Sequence, residues 1–326
     1  MIHLALSTGC PSGIGPEVSV AAAHAALDRY DDLRLTLYGD PGALADAAAM
    51  RGLSLVRRRL EVVETSRLRP DERVPGRPGA PAGTAQLAAI DAAADAVRGG
   101  TAQGLVTAPV SKRAITDTGM DFRGHTEHLA ARWGAERVVM MFAGPWLRTS
   151  LVTTHLPLAK VPAAITVEDV RATVMLTAEG LLRWWGLVRP RVGVSGLNPH
   201  AGEGGLLGSE EAAVIGPAVV AAQGALGDRA VVVGPLPAEA VYRQARDGQW
   251  DAVVGMYHDQ ATLASKLLDF GDAVNVTLGL PFVRTSVDHG TAYDIAGRGE
   301  ADARGMFAAF ALGRTLTAAG AALPTR

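Results

Sequence analysis

Residues 82–108 read AGTAQLAAIDAAADAVRGGTAQGLVTA. Alanine has the lowest free-energy cost of any residue in a helix interior, and it dominates Ala82 to Arg98, so this part is expected to be helical. Two glycines then break the pattern, and Gly104 to Ala108 forms a short apolar run of strand length. The same alternation extends in both directions. Leu33 to Tyr38, Val138 to Phe142, Arg191 to Ser195, Ala230 to Val233 and Ala252 to Met256 are further strand candidates, Ile2 to Leu6 is strand-like, and Val167 to Trp185 is helical. Such alternation implies crossover units, a largely parallel sheet and helices on both of its faces. Arg67 to Pro81, with four prolines, reads as an exposed connection, and Ala308 to Ala322 as a last helix.

Composition agrees with an α/β class. The chain has 326 residues, 48% of them apolar, which suits two domains or one elaborated α/β domain. Aromatic residues make up only 5%, against 38 glycines, which favours close helix-on-sheet packing over a β-sandwich. A formal charge of −2 argues against general affinity for nucleic acid or an anionic membrane. With Cys10 as the single cysteine there is no intrachain disulfide. Met1 leads directly into the first strand without a basic, then apolar, leader, and no apolar stretch is long enough to span a bilayer, so the expected location is cytoplasmic.

Three histidines each follow a strand-like run: His155 after Val152-Thr153-Thr154, His200 after Gly196-Leu197-Asn198-Pro199, and His258 after Met256-Tyr257. Strand ends fix side chains toward one edge of a sheet, so these imidazoles could converge on a divalent ion and leave positions open for substrate. A single histidine at such a place is more often structural, so the weight falls on the surroundings. Asn198 to Gly205 is a glycine-rich loop, and Asp259 lies beside His258 as a ligand or orienting group. Lys266, Asn275 and Arg284 supply cationic and amide groups suited to an anionic substrate. Ser111-Lys112 and Gly124-His125-Thr126-Glu127-His128 suit a phosphate or carboxylate at helix starts, or alternatively a capped helix with a surface lysine; His125 and His128 form a less favoured metal pair. The turn at Gly13 to Glu17 lacks the order of a Rossmann fingerprint.

Taken together, the blocks GIGPE (13–17), GHTE (124–127), TTHLPL (153–158), GLNPHAGEGG (196–205), GPLPA (234–238), YHDQ (257–260) and NVTLGLPFVRTSVDHGTA (275–292) closely resemble the 4-hydroxythreonine-4-phosphate dehydrogenase family of pyridoxal phosphate biosynthesis. The resemblance implies two α/β/α domains with a cleft between them, like those of isocitrate and isopropylmalate dehydrogenases. It implies a terminal-segment domain of residues 1–115 and 255–326 carrying the cofactor loop, a central domain of 116–254 carrying dimer contacts, and a homodimer with active sites shared between subunits. His155, His200 and His258 match the family's metal ligands, and His125, Thr126, Lys266, Asn275 and Arg284 its substrate contacts. His289, Gly290, Thr291, Ala292 and Asp294 resemble an adenosine-side cofactor loop. Lys112 or Asp259 would move the proton. The implied cofactors are NAD, with NADP as the alternative, and a divalent metal, zinc first, with cobalt or magnesium as alternatives.

The implied reaction oxidises 4-hydroxythreonine 4-phosphate to 2-amino-3-oxo-4-phosphooxybutanoate, which decarboxylates to 3-amino-2-oxopropyl phosphate. The chain departs from the family pattern at Cys10, where an acidic residue is usual, at Ser111, where asparagine is common, and at Leu206, Leu207 and Ser209. These departures keep open a dehydrogenase of D-threonate or D-erythronate 4-phosphate in sugar-acid catabolism. A sensor of phosphorylated metabolites is the non-enzyme alternative.

Overall fold

The computed structural model describes residues 1–321. It divides into two compact units, the first Met1–Ala135 with Leu280–Ala318, the second Glu136–Gly279 with the chain from Ala319 onward. In this division 116–135 cluster with the terminal segments and 255–279 with the central one, whereas the expected domains are 1–115 with 255–326 and a continuous 116–254. Lys112, His125 and Thr126 therefore share a unit with Arg284 and the 289–294 loop, while the three candidate metal histidines share the other.

In the first unit the strands are β1 (Ile2–Ser7), β2 (Leu33–Gly39), β3 (Leu60–Glu64), β4 (Gly104–Thr107) and, after the second unit, β11 (Val283–Ser286). Their order is β3-β2-β1-β4-β11, and every pair is parallel. All four residues of β4 and of β11 are buried, which requires cover on both faces. Gly15–Arg29, Pro41–Met50, Ala80–Arg98 and Arg304–Ala321 are the long helices of this unit. Their alanines allow close approach. Gly83, on the helix Ala80–Arg98, could not carry a side chain at all, because a Cβ there would lie 1.9 Å from the carbonyl oxygen of Ala114. Leu4, Leu6, Leu35, Leu37 and Leu105 are wholly buried, each side chain contributing about 1.5–3 kcal/mol through removal from water. None of residues 67–81 is buried, in keeping with an exposed connection.

The second unit contains β5 (Val139–Ala143), β6 (Arg148–Leu151), β7 (Arg191–Ser195), β8 (Val231–Leu236), β9 (Ala252–Gly255) and β10 (Val274–Leu278), ordered β10-β5-β6-β9-β7-β8. Here the sheet is mixed. β5 runs antiparallel to both β10 and β6, whereas β6, β9, β7 and β8 are mutually parallel. The reversal follows from a turn between β5 and β6 too short for a crossover, and Asp269 fastens it by accepting the backbone N–H groups of Trp146 and Leu147, both at 3.1 Å. The helix Val167–Arg183 starts at Thr166, whose Oγ1 accepts from the N–H of Asp169 at 3.1 Å. Among the described residues no helix is long and apolar enough to cross a membrane.

Candidate active site

The parallel run β6-β9-β7 explains how three histidines from distant segments reach one edge of a sheet. Leu151 pairs with Gly255 and Val194 with Val254, so the chain leaves all three strands at the same end. The pairing continues beyond the strands, with Val152 and Thr153 donating to the carbonyls of Gly255 and Met256 at 2.9 and 3.1 Å. His155 and His258 are thereby brought together, their ring centroids 5.5 Å apart. His258 is the first residue of the helix His258–Leu268 rather than part of a loop. Its Nδ1–H donates to Oδ1 of Asp259 at 2.7 Å, which fixes the ring and leaves Nε2 as the nitrogen with a lone pair to offer.

His200 does not join the pair: among the described residues no group of three or more His, Cys, Asp or Glu side chains is placed to hold a metal ion. It is exposed, at the start of a left-handed turn in which His200, Ala201, Gly202, Glu203 and Gly204 have φ values of 51, 52, 78, 45 and 65°. Each non-glycine residue so placed costs about 1–2 kcal/mol, so the turn needs support. Glu211 gives it. Its carboxylate, 6% exposed, accepts the N–H groups of Leu197 and Asn198 at 2.8 and 2.7 Å and the side-chain amide of Asn198 at 3.0 Å. Burial opposes ionisation of Glu211, but these hydrogen bonds outweigh it and hold the carboxyl below its ordinary range. Gln260 ties the neighbouring ends together, accepting from the N–H of Met256 at 2.7 Å and donating to the carbonyl of Gly196 at 2.8 Å. The sequence reading attached no role to Glu211 or Gln260; their only signal was position, one just after the glycine loop and the other in YHDQ.

Lys266 lies exposed on the helix that His258 begins, and Asn275 lies on β10, with its Oδ1 shielded from solvent and without a hydrogen-bond partner among the described residues. Such an oxygen is poised to accept from a ligand.

The first unit holds the other candidates. Arg284, on β11 opposite Leu105, is 2% exposed and donates to Oγ1 of Thr107 at 2.7 Å. Burial pushes its pKa down to about 10, partly offset by Glu127. His125 opens the helix His125–Trp133, and its Nε2 is shielded and lacks a partner among the described residues. Burial, then the charges of Arg284, His128 and Lys112, lower its pKa well below 6.5. His125 is therefore neutral in the folded protein at pH values where it charges in the unfolded chain. Stability is fully present above pH 6.5 and is lost as pH falls below it; melting scans should show His125→Asn with a shallower acid-side loss of Tm than the parent, and identical slopes would remove this group from the account. Thr126 is buried beside it, and Lys112 is exposed at the start of Lys112–Thr116, a short helix capped by Ser111. Ser111 thus has the capping role, its Oγ accepting from the N–H of Ala114 at 3.1 Å. His128 is engaged by Asp91 at 2.7 Å and packs on Phe122, which fits a structural residue better than a metal pair with His125.

Residues 288–299 fold over the Gly13–Glu17 turn. Ile14 N–H donates to the carbonyl of Thr291 at 3.0 Å, and Gly297 N–H donates to Oε1 of buried Glu17 at 2.7 Å. Gly13 must lack a side chain, since a Cβ would come 2.9 Å from the Thr291 oxygen. Cys10 Sγ lies 3.5 Å from the hydroxyl of Tyr293; burial raises the thiol pKa and pushes the phenol up to about 12, so both are neutral. His289 and Gly290 are exposed, Ala292 has a φ of 41°, and the carboxylate of Asp294 faces solvent.

Two α/β units, one with a pair of strand-end imidazoles and the other with a buried arginine and a glycine-bearing loop, define an α/β enzyme of the kind that handles small anionic substrates. The family model described as pyridoxal phosphate biosynthetic protein PdxA matches residues 20–313, and the chain belongs to that family. It is 45% identical over 318 residues to the 4-hydroxythreonine-4-phosphate dehydrogenase of Desulfosudis oleivorans, covering 94% of this chain and 93% of the relative. The crystal structure of the 4-hydroxythreonine-4-phosphate dehydrogenase from Klebsiella pneumoniae superposes with a TM-score of 0.86 at 33% identity, covering 97% of this chain and 100% of that one. A terephthalate 1,2-cis-dihydrodiol dehydrogenase from Burkholderia xenovorans LB400 is less similar in shape, with a TM-score of 0.67 at 32% identity and coverage of 96% and 98%.

Proposed function

We propose that the protein is a 4-hydroxythreonine-4-phosphate dehydrogenase, an oxidoreductase of pyridoxal phosphate biosynthesis that uses NAD and a divalent cation. The observation that carries the reading is the His155–His258 pair at adjacent parallel strand ends, with Asp259 orienting His258, in a chain of this family. Imidazole nitrogens are the donor type that zinc takes, ahead of magnesium, which prefers oxygen. When bound, the cation supplies Lewis-acid stabilisation of negative charge at the oxidised position.

The remaining steps fall to side chains. In the first unit Arg284 and His125, with Thr126, are suited to a phosphate or carboxylate, and a neutral His125 both donates and accepts hydrogen bonds; in the second, Lys266 offers a cation and Asn275 an unsatisfied acceptor to an anionic substrate. Lys112 is assigned the hydroxyl proton, and NAD, when bound, would supply the hydride acceptor; Asp259 is the weaker choice because His258 already occupies its carboxylate. The 289–294 loop would hold the adenosine side of NAD, where the exposed Asp294 carboxylate is able to accept hydrogen bonds from a ribose diol. The β-keto acid then loses carbon dioxide.

The third ligand is His200 of the partner subunit in a homodimer. Two features support this assignment: His200 of the same chain stands apart from the pair, and apolar surface lies around both. Leu206, 83% exposed, and Leu207 flank the His200 turn, while Leu267, 76% exposed, and Phe270, 78% exposed, project from the helix of His258 and just beyond it. Exposed apolar side chains beside both the His200 turn and the helix of His258 suit an association surface.

Purified protein loaded with zinc should reduce NAD with 4-hydroxythreonine 4-phosphate at a kcat/KM at least about 100-fold above that for D-threonate or D-erythronate 4-phosphate, read at 340 nm. Turnover of the sugar acids alone would move the protein to sugar-acid catabolism, and binding without any NADH across the panel would favour a sensor.

A further inference from the structure

We propose that Glu211 is the positioning residue of the His200 loop: it holds five successive left-handed residues in the shape that presents His200. This rests on His200 being a metal ligand, as proposed above. The turn has short backbone hydrogen bonds of its own, Ala201 N–H to the Asn198 carbonyl and Leu207 N–H to the Gly202 carbonyl, both at 3.1 Å, but the side chains of His200, Ala201 and Glu203 are exposed or half-exposed and add no buried support to its left-handed backbone. What the turn rests on is a carboxylate. Oε1 takes both backbone N–H groups that enter the loop, at Leu197 and Asn198, while Oε2 takes the Asn198 amide, which also reaches Oε2 of Glu210 at 2.8 Å.

Contact is as close as the backbone allows. A Cβ on Gly202 would sit 2.7 Å from Oε2 of Glu211, and one on Gly196 would sit 3.1 Å from Oε1, so the loop is seated on this carboxylate at both its entry and its middle. Glu211 is itself the first residue of a single π-helical turn, Glu211–Ile215, an irregularity that recurs at functional sites. A buried acid that touches no ligand, yet satisfies the donors of a strained loop bearing a candidate ligand, acts through that ligand's position.

The test uses the full-length protein. Zinc affinity is measured by competition with a fluorescent chelator, and backbone hydrogen exchange is followed over residues 197–207, in the parent and in Glu211→Ala, Glu211→Gln and His200→Ala. We expect Glu211→Ala to speed exchange in 197–207 and to weaken zinc by about 10–100-fold with His155 and His258 intact. Glu211→Gln, which keeps one carbonyl acceptor for the Leu197 and Asn198 N–H groups, recovers part of both losses and serves where the alanine variant folds poorly. Unchanged exchange in Glu211→Ala overturns the proposal, as does unchanged zinc affinity there when His200→Ala loses zinc. Undiminished zinc affinity in His200→Ala overturns the ligand reading instead, and the exchange data still report whether Glu211 holds the loop.

Discussion

Mixing inactive His200→Ala protein with inactive His258→Ala protein should restore about a quarter of the parent's turnover. Each variant alone loses bound zinc and at least about 1,000-fold in kcat/KM, the scale of the several kcal/mol that a Lewis-acid centre supplies. In the proposed homodimer, one site of a mixed pair inherits both defects. The other combines His155 and His258 from one subunit with His200 from its partner and is whole. Random exchange makes about half of the dimers mixed, each with one of two sites intact, which gives the quarter. The physical basis is that His155 and His258 form a pair to which the same chain's His200 does not belong. Zinc content and initial rate after subunit exchange read the result. No recovery in a mixture shown by mass spectrometry to contain mixed dimers would mean that each chain completes its own site.

Arg284→Met should separate binding from stability. The guanidinium is wholly enclosed on β11, and its lowered pKa, about 10, reflects what burial costs the charge. Methionine fills a similar volume without that cost, so Tm should hold or rise. KM for the phosphorylated substrate should increase by at least about 100-fold, because losing one partner of a desolvated ionic contact removes about 2–5 kcal/mol. Arg284→Lys keeps the charge but not the planar two-donor fork, so it should recover only part of the affinity. A lower Tm with unchanged KM would recast Arg284 as a structural residue serving Thr107.

How much of this was legible in the sequence depends on where each element keeps its polar groups. Leu33 to Tyr38, Gly104 to Ala108 and Ala252 to Met256 announced themselves because parallel strands covered on both faces are mostly apolar, and in these three runs only Arg34 is exposed. β6 and β11, RTSL and VRTS, gave no such signal, although nearly every residue is buried. Their hydroxyls are satisfied internally: Ser150 accepts from Thr177 at 2.8 Å, Ser286 donates to the Thr107 carbonyl at 2.9 Å, and Thr285 donates to the Ala309 carbonyl at 2.9 Å. These pairings span long sequence separations, so only the fold reveals them. The site divides in the same way. His155 and His258 were readable as strand-end residues, whereas the role of Glu211 depends on backbone dihedrals that no spacing rule encodes.

The ties between residues 288–299 and the Gly13–Glu17 turn carry a thermodynamic consequence. Thr291 and Gly297 are pinned near the two ends of that segment by Ile14 and Glu17, so its backbone is already ordered before anything docks there. A molecule landing on it forfeits little conformational entropy of the host, and its association rate should be governed by diffusion and charge rather than by waiting for a loop to fold.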